Sequence, residues 1–150
     1  MKRNSMSRIL LVVTPMMIIC CLLVLGTSAV AQSCSNKTIK GDYGCSIHGS
    51  LIFGATQLPF VGVTMGHNDG DGNSTGLEHV VVNGNSFDSG WDANSGTYTV
   101  NPDCTGTLTI NVPGNPFSPV KLHFVVVRQG KEIRTVVEAN AVSSIGIKIE

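Results

Sequence analysis

The chain has 150 residues, of which 42% are hydrophobic, 13% charged and 5% aromatic, with ten basic against ten acidic side chains. That length allows one domain with a leader and excludes a multidomain enzyme. The hydrophobic content excludes a disordered polyelectrolyte, the low charge excludes a coiled coil, and neutrality argues against nucleic acid as a partner.

Residues 1–31 read as a secretory signal peptide. Lys2, Arg3 and Arg8 give a basic start, and Ile9 to Leu25 is almost wholly apolar. Ala29-Val30-Ala31 places small residues at the −3 and −1 positions, so cleavage is expected after Ala31. An uncleaved membrane anchor is the rival reading, because an apolar run of about 17 residues sits near the lower bound for a span. Pro15, Gly26 and the Ala-x-Ala site favour cleavage. Cleavage leaves a secreted or periplasmic domain, residues 32–150, with no stable membrane span. It removes three basic residues and no acidic ones, so the net charge falls from zero to −3.

The remaining chain shows no helical periodicity. Short alternating runs broken by turn residues predict an all-β domain instead. The first run is Gly41 to Phe53, with Tyr43, Cys45, Ile47, Leu51 and Phe53 on one side. Leu58 to Met65 follows, with Val61, Val63 and Met65 in phase. The turn-rich His67 to Asn73 leads into Gly76 to Val82, and Asn83-Gly84 suits a tight hairpin turn. Phe87 to Trp91 reads as a short strand and Asp92 to Gly96 as a turn into Thr97 to Val100. Thr105 to Val112 alternates with Leu108, Ile110 and Val112 inward. After a proline-rich loop come Val120 to Arg128, Lys131 to Glu138 and Val142 to Ile149.

Eight or nine strands joined by short connections have two compact solutions, an up-and-down antiparallel β-barrel or a β-sandwich. Closure removes both sheet edges, and the hairpin order of the last three strands suits it. A single β-barrel is therefore the expected fold.

Signal cleavage also removes Cys20 and Cys21, leaving Cys34, Cys45 and Cys104 in an oxidising compartment where a disulfide is the default. Three single bridges are possible, and the sequence alone does not choose among them. Cys34 opens the mature chain, Cys104 follows the turn Asn101-Pro102-Asp103, and Cys45 lies within a strand, where a free cysteine behaves as a small hydrophobe. The working expectation is a Cys34–Cys104 bridge with Cys45 free and buried.

Three stretches carry a resemblance. Cys34-Ser-Asn-Lys-Thr-Ile-Lys-Gly-Asp-Tyr-Gly44 resembles the opening of a group of small secreted bacterial proteins of unknown function. Asn68-Asp-Gly-Asp-Gly-Asn-Ser-Thr-Gly76 is similar to that group's hairpin, and Gly96-Thr-Tyr-Thr-Val-Asn-Pro-Asp-Cys-Thr-Gly-Thr107 to its most distinctive stretch. The resemblance implies a barrel similar to that of allene oxide cyclase and a Cys34–Cys104 pair. It brings no catalytic residues. Cys45 departs from the aromatic residue expected there, and His67-Asn68 replaces apolar residues before the turn.

Chemical motifs are sparse. Asp69, Asp71 and Asn73 have the oxygen spacing of a calcium loop, but Ser74 and Val80 occupy the sixth and twelfth positions, where glycine and glutamate are required. That segment reads as a hairpin tip whose side chains bond their own backbone. His48, His67, His79 and His123 form no zinc spacing with each other or with cysteine. No metal or cofactor is expected, and no catalytic residue is assigned.

The leading reading is a secreted, non-enzymatic barrel that binds a small apolar molecule, since eight strands enclose room for one small ligand. Gly44, Gly49, Gly62 and Gly146 are candidates for opening that space. An isomerase or cyclase of the allene oxide cyclase type is the alternative; it requires a buried carboxylate or histidine at the cavity, with Glu78, His79, His123 and Glu138 as candidates. A structural or adhesion module with a filled core is the third.

Overall fold

The computed structural model describes residues 33–86 and 90–149. The expected signal peptide and most of the expected strand Phe87 to Trp91 lie outside the described residues; Gly90 and Trp91 are in neither helix nor strand. A short 3-10 turn (Asn36–Ile39) precedes β1 (Gly41–Phe53), β2 (Thr56–Asn68), β3 (Asn73–Val82) and the two-residue β4 (Asn85–Ser86). Then follow β5 (Asp92–Val100), β6 (Thr105–Asn111), β7 (Val120–Val127), a second 3-10 turn (Arg128–Gly130), β8 (Glu132–Val137) and β9 (Ala141–Lys148). Every pairing is antiparallel. The order β2-β1-β9-β8-β7-β6-β5-β3, with β2 also paired to β3, closes an eight-stranded barrel, and β4 is a short extra strand on β3. The sandwich alternative is excluded by that closure.

The period-two pattern sorts side chains between lumen and exterior. On β1, Tyr43, Cys45, Ile47 and Leu51 face inward, and on β7 so do Leu122, Phe124 and Val126. His123 faces out, as its place between Leu122 and Phe124 requires. Two expectations are corrected. Val61, Val63 and Met65 do share a face of β2, but it is the outer one, and each is about half exposed. The inward row of that strand is Leu58, Phe60, Gly62 and Thr64, facing Leu51, Gly49, Ile47 and Cys45 of β1. Gly62 keeps that row small at one point, where a Cβ would lie 2.8 Å from Val80 Cγ1.

The second correction concerns Asp92 to Gly96, which is strand rather than turn. Asp92 pairs with Glu78, Asn94 with Gly76 and Gly96 with Ser74 on β3, while Gly96 also pairs with Ile110 on β6. Two partner strands supply the ladder hydrogen bonds that override the turn preference of Asp, Asn, Ser and Gly.

One end of the barrel is plugged. Tyr43, Tyr98, Phe124, Val126 and Ile133 fill it from the strands, and Ile39 from the 3-10 turn covers them. The plug is held by polar contacts to both sides: the Val100 amide donates to Asn36 Oδ1 (2.8 Å), and the Tyr98 hydroxyl donates to the Asn36 carbonyl (3.3 Å) and accepts from the Gly70 amide (2.9 Å). Tyr43 donates its hydroxyl hydrogen to the Gly130 carbonyl. Gly130 has φ +84°, and a Cβ there would meet the Thr38 carbonyl oxygen at 2.0 Å, so glycine is what lets the turn after β7 lie against the plug.

Cys34 and Cys104 are disulfide-bonded, with Cα atoms 5.0 Å apart and a sequence separation of 70. Cys45 is a free, half-buried thiol packed against this aromatic layer, and burial pushes its pKa up to about 11. Among the described residues no helix is long and apolar enough to cross a membrane.

Two outcomes follow from the pinned plug. Cys34→Ala with Cys104→Ala should lower unfolding stability by about 4 kcal/mol, from loop-closure entropy over a loop of this size; a loss under about 1 kcal/mol in denaturant titration would show that the plug holds without it. Unreduced protein treated with iodoacetamide near pH 8 should label slowly when native and at Cys45 alone when denatured, because the thiolate is the reactive form. Labelling of Cys104 in that mass-spectrometric experiment would contradict the assigned bridge.

Candidate functional site

Beyond the aromatic layer the lumen is open. A cavity of about 520 Å³ occupies the other half of the barrel. Its wall is mostly apolar, with Ile47, Phe60, Val80, Ile110, Leu122 and Val142 among the residues that line it. The sequence creates this space by changing residue size along the strands. Ile47, Ser144 and Thr135 are register neighbours on β1, β9 and β8, and they line the cavity with smaller side chains than the Tyr43, Tyr98 and Phe124 of the plug. Thr135 and Ser144 join their hydroxyls at 2.7 Å and so leave no unpaired polar atom from that pair.

Gly49, Gly62 and Gly146 do not open the cavity. A Cβ at Gly49 would lie 2.1 Å from the Ala141 carbonyl oxygen, one at Gly62 2.8 Å from Val80 Cγ1, and one at Gly146 2.8 Å from Cys45 Sγ. These glycines admit neighbouring chain or side chain at crowded positions. Gly44 faces outward.

The loop between β6 and β7 forms part of the mouth. Asn115 Oδ1 accepts from the Phe117 amide (2.8 Å), and Ser118 Oγ accepts from the Val112 amide (3.0 Å), giving the proline-rich segment an internal frame. Phe117 lines the cavity and packs on Phe53 of β1, ring centroids 5.5 Å apart. Asn140 Oδ1 accepts from the Ile52 amide (3.0 Å), tying the β8–β9 turn to the β1 end of the same rim.

Of the four candidate acid–base residues, Glu78 alone belongs to the inner wall. It sits on β3 opposite Thr64 of β2 and Asp92 of β5. Asn94 Nδ2 donates to its Oε2 at 3.0 Å. Burial raises its pKa above the usual carboxylate value, the Asn94 hydrogen bond opposes that shift, and the charge of Asp92 adds to it. Glu138 lines the cavity only at the exposed rim, near the β8–β9 turn. His79 points outward, its Nδ1 donating to the Gly90 carbonyl (2.5 Å), with the Trp91 ring 6.2 Å away. His123 is exposed on the outer face of β7. Strand alternation separates these residues, so the structure assembles no histidine–carboxylate pair at the cavity.

Asn94 was not singled out from the sequence, because the apparent turn hid its strand. Alternation of Asp92, Asn94 and Gly96 with Ala93 and Ser95 is the signal that would have found it. The hairpin tip at 69–73 is self-contained: Asp69 Oδ1 accepts from the amides of Asp71 (2.7 Å), Gly72 (3.0 Å) and Asn73 (3.0 Å), and Asn73 Nδ2 donates to Asp69 Oδ2 (2.6 Å). Those hydrogen bonds hold the exposed Asp69 carboxyl down at about 2. The loop's leading carboxylate is thus committed to its own backbone.

No family model, no curated protein and no solved structure matches the chain.

Glu78 makes a testable mark on stability. A carboxyl whose pKa is raised in the folded state binds its proton more tightly there, so ionisation costs stability as pH rises from the unfolded value through the folded one. Glu78→Gln should therefore gain on wild type as pH rises above the usual carboxylate value, seen as a growing difference in Tm. A difference that stays constant or shrinks would mean that the carboxyl is not desolvated.

Proposed function

We propose that this chain is an exported, non-enzymatic β-barrel that holds a small apolar molecule in its lumen. The observation that carries the reading is the cavity itself: about 520 Å³, apolar over most of its wall, blind at the plugged end and open at the rim. Ligand pockets typically span about 300–1,000 Å³ and combine an apolar lining with few polar groups. The basic and apolar leader and the Cys34–Cys104 bridge support export to an oxidising compartment. A lumen of this size speaks against a module whose core is filled.

Glu78 favours a second reading, the isomerase or cyclase of the allene oxide cyclase type. A carboxyl in an apolar cavity is the minimum such chemistry needs, and here it stands with Asn94 as its only polar partner shown at hydrogen-bond distance. Asp92 stands beside it as a cross-strand neighbour on β5, and the mostly apolar wall of the cavity keeps the carrier reading ahead.

Titration of mature protein with the neutral fluorophore N-phenyl-1-naphthylamine tests the carrier reading. Saturable one-to-one binding is expected. Ile47→Trp, which places a large ring into the cavity, should weaken it by about tenfold or more while the protein remains folded by circular dichroism. Absence of saturable binding, or binding unchanged in the folded Ile47→Trp variant, would refute a luminal site.

A further inference from the structure

The class of molecule that fits the lumen follows from where charge sits in its wall, an inference that rests on the carrier reading above. Glu78 is the ionisable group that lines the cavity away from its rim, beside Thr64, Asp92 and Asn94; Lys121 and Glu138 line it only at the exposed rim. No cation among the described residues faces Glu78. Lys148 is at the plugged end, with Nζ 5.9 Å from the Tyr43 ring centroid, and Arg128 and Arg134 pair with Glu132. His48, His67, His79 and His123 lie on outward positions of their strands. The carboxylate therefore stands in a desolvated wall with one amide donor and a second carboxylate, Asp92, as its cross-strand neighbour.

We propose that the lumen selects an amphiphilic amine, whose protonated nitrogen meets the Glu78 carboxylate while its hydrocarbon lies along the Ile47, Val80 and Leu122 wall. A half-buried carboxylate without a counter-ion carries a desolvation cost, and an ammonium supplies both the charge and the hydrogen-bond donors it lacks. Asn94 donates to Oε2 and so leaves the group an acceptor, which suits a donor headgroup. A neutral alcohol can donate one hydrogen bond to the carboxylate but brings no positive charge to offset it, whereas an ammonium brings both charge and several donors. A fatty-acid carboxylate placed at the same depth meets like charge and finds Lys121 only at the rim. The raised pKa of Glu78 agrees with this account: burial and Asp92 oppose its ionisation in the free protein, and a bound cation relieves both.

Isothermal titration of mature protein with n-octylamine, n-octanol and octanoate, near neutral pH and below micelle formation, decides the matter. Octylamine should bind about tenfold tighter than octanol, with octanoate weakest. In Glu78→Gln the amine's advantage over octanol should fall below about threefold. Octanol or octanoate binding as tightly as octylamine to the wild-type protein overturns the proposal without disturbing the carrier reading, and needs no variant to fold. Retention of the full amine preference in Glu78→Gln overturns it as well. Failure of all three to bind overturns both.

Discussion

Eight strands closed on themselves leave an interior that side chains can only just fill, so the residue sizes chosen at each level decide whether a level is core or cavity. This chain makes both choices. At one end Tyr43, Tyr98 and Phe124 project inward and close the space between them. Beside it Ile47, Ser144 and Thr135, register neighbours on β1, β9 and β8, turn smaller side chains inward and line the cavity. Lumen and core are thus one structure read at two heights, and neither can be altered without moving the other.

Asymmetry between the ends has its own physical cause. The segment before β1 would fray if nothing held it, since chain termini order only when tied down. Here the Cys34–Cys104 bridge fixes its start, Asn36 exchanges hydrogen bonds with Val100 and Tyr98, and Ile39 sinks into the aromatic layer. The opposite end carries a smaller apolar cluster of Leu51, Val82 and Val142, the Phe117–Phe53 contact and the Asn140 bond to β1. The cavity lies on that side of the plug, and half-buried Glu78 is its ionisable lining group away from the rim. That placement raises the cost of the Glu78 charge and gives a ligand of opposite charge something to neutralise.

Much of this was legible in the sequence where local pattern and global fold agree. Gly41–Phe53 alternates large and small residues in register with its eventual inner face, and Leu122, Phe124 and Val126 do the same on β7. Pattern misled where composition and environment part company. Val61, Val63 and Met65 are one apolar phase of β2 and face out, while the inner phase mixes large Leu58 and Phe60 with Gly62, where Val80 of β3 lies too close for a side chain. Asp92 to Gly96 has turn composition, but two flanking strands hold it extended. The cavity wall around Glu78 depends on Asn94, and the plug on contacts between Asn36 and residues more than 60 positions away. Such pairings come from barrel closure and register, which no local window contains.

The central claim is that the lumen is occupied by a small molecule in the protein's working state. Native mass spectrometry of the mature protein, purified without detergent from its own host, tests it most directly. The account predicts a complex heavier than the apo chain by one small molecule, which leaves on collisional activation and carries a basic nitrogen. A protein that flies only at its apo mass across mild ionisation conditions, with Cys34 and Cys104 still bridged, would contradict it.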